Sequence, residues 1–236
     1  MKLYHVHSRL KRALTLFFGL LIFVSFTASA YAAEYAQAPD TLEALLNKLN
    51  AEFGTDFHVI TPEEMKERYG IEISYYNPAP MTKERLWKLE AYFRHFAMVE
   101  IPKINRKTQE ALAISAFFEK AKQEGEEFTL RDAAKVTRAT VVAEKAIDGA
   151  TAGAIATTYL DSFQHTLWED CQSAYCRTNY QQERWFLSIN PTVSIIDRDR
   201  NLYWQGTGDY GAYINGQQVC LGSGTQYAYM YIDDYV

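Results

Sequence analysis

Residues 202–221 read Leu202-Tyr203-Trp204-Gln205-Gly206-Thr207-Gly208-Asp209-Tyr210-Gly211-Ala212-Tyr213-Ile214-Asn215-Gly216-Gln217-Gln218-Val219-Cys220-Leu221, and Tyr227-Ala228-Tyr229-Met230-Tyr231-Ile232 follows after Gly222-Ser223-Gly224. Short runs of β-branched and aromatic residues alternate here with turn formers, which is the signature of antiparallel strands. Asn215-Gly216 is the strongest hairpin signal, because both residues tolerate the positive φ that a tight primed turn demands. Gly222-Ser223-Gly224 reads as a second turn, and Asp197–Asn201 as a polar hairpin loop.

Working back from this stretch, the same pattern covers Thr140–Ala143, Ala154–Tyr159, Trp185–Ile189 and Val193–Ile196, with Asp148-Gly149 as another turn. Leu130–Ala146 is rich enough in Ala, Lys and Glu to form a helix; strand is the expectation from Val136 onward. Before residue 130 the period changes to that of helices. Leu42, Leu45, Leu46, Leu49 and Phe53 mark one helical face that ends at Gly54. Phe57–Ile60 suits a short strand. Thr61-Pro62-Glu63-Glu64 is a helix start with a capping box, terminated at Gly70. Thr82 opens a helix carrying Leu86, Leu89, Phe93, Phe96 and Ala97 inward, which Pro102 is expected to kink or end. A further helix over Lys107–Glu124 has Leu112, Phe117, Phe118 and Ala121 available for packing. The expected fold class is therefore α+β: a helical region, residues 33–130, packed with or followed by an antiparallel β-sandwich-like region, residues 131–236.

Residues 1–32 stand apart. Lys2, Arg9, Lys11 and Arg12 precede the apolar run Ala13–Phe26, and Ala28-Ser29-Ala30 and Ala30-Tyr31-Ala32 each offer the small-x-small pattern a signal peptidase accepts. The reading is a signal peptide cleaved after Ala32, giving a secreted or, behind a second membrane, periplasmic product that is not membrane-embedded. Its loss removes four basic residues and no acid, so the formal net charge moves from −5 to −9. An acidic mature chain argues against nucleic acid or an anionic membrane as partner.

Cys171, Cys176 and Cys220 all lie in the second half. The spacing of the first two suggests a hairpin disulfide between Cys171 and Cys176 in an oxidising compartment, with a bond from either to Cys220 as the alternative. Export leaves His58, His95 and His165, too scattered for a zinc protease helix. His95, beside an apolar stripe, is expected to be partly buried. A Cys220 nucleophile with His165 as base is compositionally possible, although Val219-Cys220-Leu221 looks like an inward strand segment. Gly206-x-Gly208-x-x-Gly211 copies a dinucleotide fingerprint, but no helix opens at those glycines. Asp197 and Asp199 alternate as in a calcium loop, yet Leu202 and Gly208 occupy the positions where the tight-turn Gly and bidentate Glu would stand. These two acids are the calcium candidate; no other cofactor is indicated.

The composition singles out aromatics. Tyr203, Trp204, Tyr227, Tyr229 and Tyr231 crowd the last strands, and the period-two spacing of the final three places them on one sheet face. An outward Tyr/Trp face would be a platform for a glycan, a cell-wall polymer or a protein. The expectation is a secreted, non-enzymatic binding or interaction protein; the alternative is an extracellular hydrolase whose site is not recognisable from sequence.

Overall fold

The computed structural model describes residues 39–73, 76–123, 136–161 and 163–235. The leader 1–32 and the start of the ambiguous stretch, 130–135, lie outside them.

The chain is α+β, with helices leading into antiparallel sheets. Helix α1 (Leu42–Phe53) is capped by the Thr41 hydroxyl, which accepts from the Ala44 N–H at 3.1 Å, and ends at Gly54 with φ 65°. Strand β1 (His58–Ile60) follows. Helix α2 (Pro62–Tyr69) has Thr61 as its cap, Pro62 in its first turn and Gly70 at its end. Helix α3 (Lys83–His95) starts at the Thr82 cap. Pro102 does not separate two helices. A π-helical turn, Phe96–Glu100, joins α3 directly to α4 (Ile101–Gln123). Pro102 is tolerated because it sits where α4 begins, and the π turn has already broken the regular hydrogen-bond ladder.

The strands are β2 (Val136–Ile147), β3 (Ala150–Leu160), β4 (Thr166–Arg177), β5 (Trp185–Leu187), β6 (Thr192–Ile196), β7 (Asn201–Ile214) and β8 (Gln217–Tyr231). β2, β3 and β4 form one sheet; β1, β8, β7 and β5 form the other, with β6 pairing with β7 beside β5. Asp148-Gly149 turns β2 into β3, Asn215-Gly216 turns β7 into β8, and residues 197–200 make the β6–β7 loop.

Two expectations are corrected. Gly222-Ser223-Gly224 is not a turn. It lies inside β8, where Gly208 pairs with Gly224 and a bulge opposite Tyr210 and Gly211 shifts the register. Gly222 absorbs the bulge at φ 121°, a conformation that residues with a Cβ rarely adopt. The runs Leu202–Gln205, Tyr210–Ile214, Val219–Leu221 and Tyr227–Ile232, each expected as a separate short strand, are thus parts of two long ones. Secondly, Cys171 and Cys176 are not on facing strands. Both lie on β4, and all three cysteines are free. Five residues of extended chain span about 16 Å, far beyond the Cα separation a disulfide tolerates. A bulge at Gln172 puts both thiols on the same side, opposite Ala156 and Ala152.

The two sheets face each other across one core. Ala143, Ala152, Ala154, Ala156 and Trp168 meet Leu202, Trp204, Ala212, Val219 and Met230, and the same cluster continues through Leu45, Leu49, Phe57, Phe93 and Phe96 of the helical half. Small side chains on the three-stranded sheet leave room for the two tryptophans, which is how a densely packed interior accommodates them. A smaller cluster of Ile60, Met65, Trp185, Leu187 and Cys220 lies under α2, on the other side of the larger sheet.

Candidate functional site

Along the β7–β8 ribbon, cross-strand pairing fixes a ladder on the face turned away from the sandwich. Its rungs are Asn201–Tyr231, Tyr203–Tyr229, Gln205–Tyr227, Thr207–Thr225 and Asp209–Ser223. Tyr227, Tyr229 and Tyr231 do share one face. Trp204 does not join them: its neighbour Tyr203 is on the ladder, so strand alternation turns Trp204 inward, where it is buried with its indole N–H donating to the Tyr175 carbonyl at 3.1 Å.

Tyr203 is the hub. Its ring centre lies 5.4 Å from Tyr229, 6.1 Å from Tyr227 and 5.6 Å from Phe118 of α4, and Phe118 meets Phe117 at 5.8 Å. The planes are inclined to one another, by 49° for Tyr203–Tyr229 and 77° for Tyr227–Tyr229. The rings form a tilted cluster, not the flat platform expected. Tyr203 is buried, and burial pushes its hydroxyl up to about 12. Tyr227 and Tyr229 are half-buried. Tyr231 is 51 % exposed, and Phe117 is 65 % exposed.

Helix α4 accounts for this gradient. Ser115 donates to the Gln205 side-chain oxygen at 2.6 Å, and the Tyr203 hydroxyl donates to the same oxygen at 3.0 Å. Tyr227 donates to Glu110 at 3.2 Å, and the Thr225 N–H donates to the Thr108 hydroxyl at 2.9 Å. The last bond satisfies a backbone group on the edge of β8 that faces away from β7, which β1 covers only at Gln218–Cys220. Leu112, expected to be available for packing, is instead 52 % exposed. The adjacent Phe117 and Phe118 are the aromatic signal in the sequence for a contribution from α4. Consecutive helical residues diverge by about 100°, so only docking decides which of the two faces the sheet.

At the other end of the ladder Asp209 is nearly buried. It accepts from the hydroxyls of Tyr69 and Ser223, and Arg68 approaches it at 3.6 Å. Burial and that carboxylate hold the Tyr69 hydroxyl well above its ordinary range. These contacts fasten α2 to the sheet.

The remaining candidates stand apart from the ladder or are internally engaged. Asp197 accepts from the Asn201 amide at 3.1 Å, whereas Asp199 accepts from the Tyr159 hydroxyl at 2.8 Å. The two carboxylates serve separate partners in the loop, and among the described residues no group of three His, Cys, Asp or Glu side chains converges as a metal site would. His165 is paired with Asp161 at 3.1 Å in the β3–β4 connection. His58, not His165, is the histidine opposite Cys220. Its Nδ1 lies 2.9 Å from the Asp56 carbonyl and its Nε2 lies 3.7 Å from Glu64, so both nitrogens face other groups. Burial pushes the Cys220 thiol up to about 11, the opposite of what a nucleophile needs. His95 is exposed rather than partly buried, with Glu100 at 3.9 Å.

Comparison with protein-family models, with characterised proteins and with solved structures returns no match. Among the described residues no helix is long and apolar enough to cross a membrane.

Proposed function

We propose that this chain is an exported, non-enzymatic interaction protein that docks a protein partner on the surface formed by Tyr229, Tyr231 and Phe117. The observation that carries the reading is the ring cluster: a buried Tyr203 anchors aromatic neighbours that emerge at the surface as half-buried and exposed rings. Rigid aromatic side chains held by packing lose little entropy on binding and dominate interface energetics. The mutual tilt of the rings suits an irregular protein surface better than the plane of a sugar. Export is supported by the basic, apolar and small-residue order of residues 1–32.

The test is binding of the exported protein to panels of purified envelope and extracellular proteins, glycans and cell-wall polymers, beside a Tyr229→Ala, Tyr231→Ala double variant. Saturable binding to a protein, lost in a variant with unchanged circular dichroism, supports the proposal. Binding to glycans alone replaces the partner class, and binding that survives the double substitution removes the surface.

A further inference from the structure

Helix α4 is built the wrong way round for a permanent fixture. The side chains it turns to the ladder are Thr108, Ala111, Ser115 and Phe118, whereas Leu112 and Phe117 are more than half exposed. A helix meant to stay docked places its large aliphatic residues inward. The contrast with α1 is sharp: α1 buries Leu42, Leu45, Leu46 and Leu49 in 12 residues, while the buried hydrophobic side chains described on the 23-residue α4 are Ile104 and Ala111.

The root of α4 is fixed. Phe96 and Ile104 belong to the core, and Arg184 holds Glu100 at 2.9 Å while stacking over Phe96 at 5.3 Å. Beyond Ile104 the helix is held by the Phe118–Tyr203 ring contact, by the buried Ala111, whose carbonyl accepts from the Tyr203 hydroxyl at 3.5 Å, and by a few hydrogen bonds that involve Thr108, Glu110 and Ser115. Each such bond contributes little net, because water replaces it on opening. Segments with few buried apolar contacts occupy the low end of local stability.

We propose that the Thr108–Lys120 segment of α4 is a cover that lifts from the β7–β8 ribbon within the folded protein, fraying as it does so because a helix of this length is marginal in water without packing, and uncovers Tyr203, Gln205 and Tyr227. The inference rests on the tyrosine face being the binding surface for its purpose, though not for its mechanics. When the cover is down, only the Tyr229–Tyr231 end of the ladder is available; when it is up, the hub ring joins it. A partner that uses Tyr203 therefore selects the open form, and its apparent affinity is reduced by the fraction of time the cover is closed.

Hydrogen exchange followed by mass spectrometry on the exported protein tests the motion with no partner present. Amides of residues 108–120 should exchange on the order of 100-fold faster than those of Leu45–Leu49. Phe118→Ala should raise the rate in 108–120 about tenfold further, the effect of a contact worth roughly 1.4 kcal/mol, and leave Leu45–Leu49 unchanged. Nitration of Tyr203 should accelerate in the same variant. The proposal is overturned if 108–120 is as protected as α1 in the unaltered protein, or if Phe118→Ala accelerates both segments together. Failure of the binding panels would refute the docking surface and leave these exchange rates as they are.

Discussion

Tyr175 lies across Gly153 and donates its hydroxyl to Glu144 at 2.7 Å, bracing β4 to β2 over the intervening strand. A Cβ at position 153 would run into the tyrosine ring, so the brace exists because that residue is glycine. Arg177 adds a second bond to Glu144 at 2.8 Å.

Gly153→Ala should displace the ring and cost about 1–3 kcal/mol, as overpacking does; Tyr175→Phe should cost about 0.5–1.5 kcal/mol. The double variant should cost less than the sum, because the first change already breaks the bond that the second removes. Urea denaturation of the four proteins measures this.

The same brace is pH-dependent. The Tyr175 hydroxyl, followed by the Arg177 charge, holds the Glu144 carboxyl below the usual range despite some burial. A carboxyl with a lowered folded value contributes stability that is complete above the unfolded glutamate value of about 4.3 and is lost as pH falls through the folded one. The stability gap between the natural protein and Tyr175→Phe should therefore be wide at neutral pH and shrink below pH of about 4. A gap that stays constant into acid would show that the carboxylate is not the acceptor.

Trp204 and Tyr231 should respond in opposite ways. Trp204→Ala removes a buried indole and should cost about 3–5 kcal/mol, whereas Tyr231→Ala, at an exposed position, should stay within about 0.5 kcal/mol. If Tyr231→Ala unfolds the protein as readily as Trp204→Ala, the ring is structural and not a docking contact.

Tyr69→Phe leaves the nearly buried Asp209 without one of its donors and should cost about 1–3 kcal/mol. Because Cys220 lies in the cluster beneath α2, loosening that helix should also speed reaction of Cys220 with a thiol reagent. In the unaltered protein Cys171 and Cys176 should react before Cys220, the most deeply buried of the three. Peptide mapping without reductant should reveal no Cys171–Cys176 link; finding one would mean that β4 is not a continuous strand.

Much of the helical half was legible in local chemistry. Thr41 with Gly54, and Thr61 with Gly70, are caps whose action depends on neighbours a few residues away, and they bound α1 and α2 where the sequence places them. Strand β4 was not legible. Thr166–Arg177 mixes acids, cysteines and small residues because one side faces solvent and the other a core already filled by Trp168 and Trp204. Its cysteine spacing imitated a hairpin. The glycines around Ser223 imitated a turn for a related reason: a residue that permits a turn also permits a bulge or a close approach, and the local sequence does not distinguish them.

The sequence by itself determined which tyrosines share a face. Side chains alternate along a strand with period two, and Tyr227, Tyr229 and Tyr231 obey it whatever lies around them. The same rule, applied to consecutive residues, already separates Tyr203 from Trp204. Only the tertiary structure decided that α4 lies on that face, that Tyr203 is buried and Tyr231 exposed, and that Phe117 points out while Phe118 points in. Those outcomes depend on contacts between residues about a hundred positions apart, which are set by the packing of whole elements and leave no periodic trace along the chain.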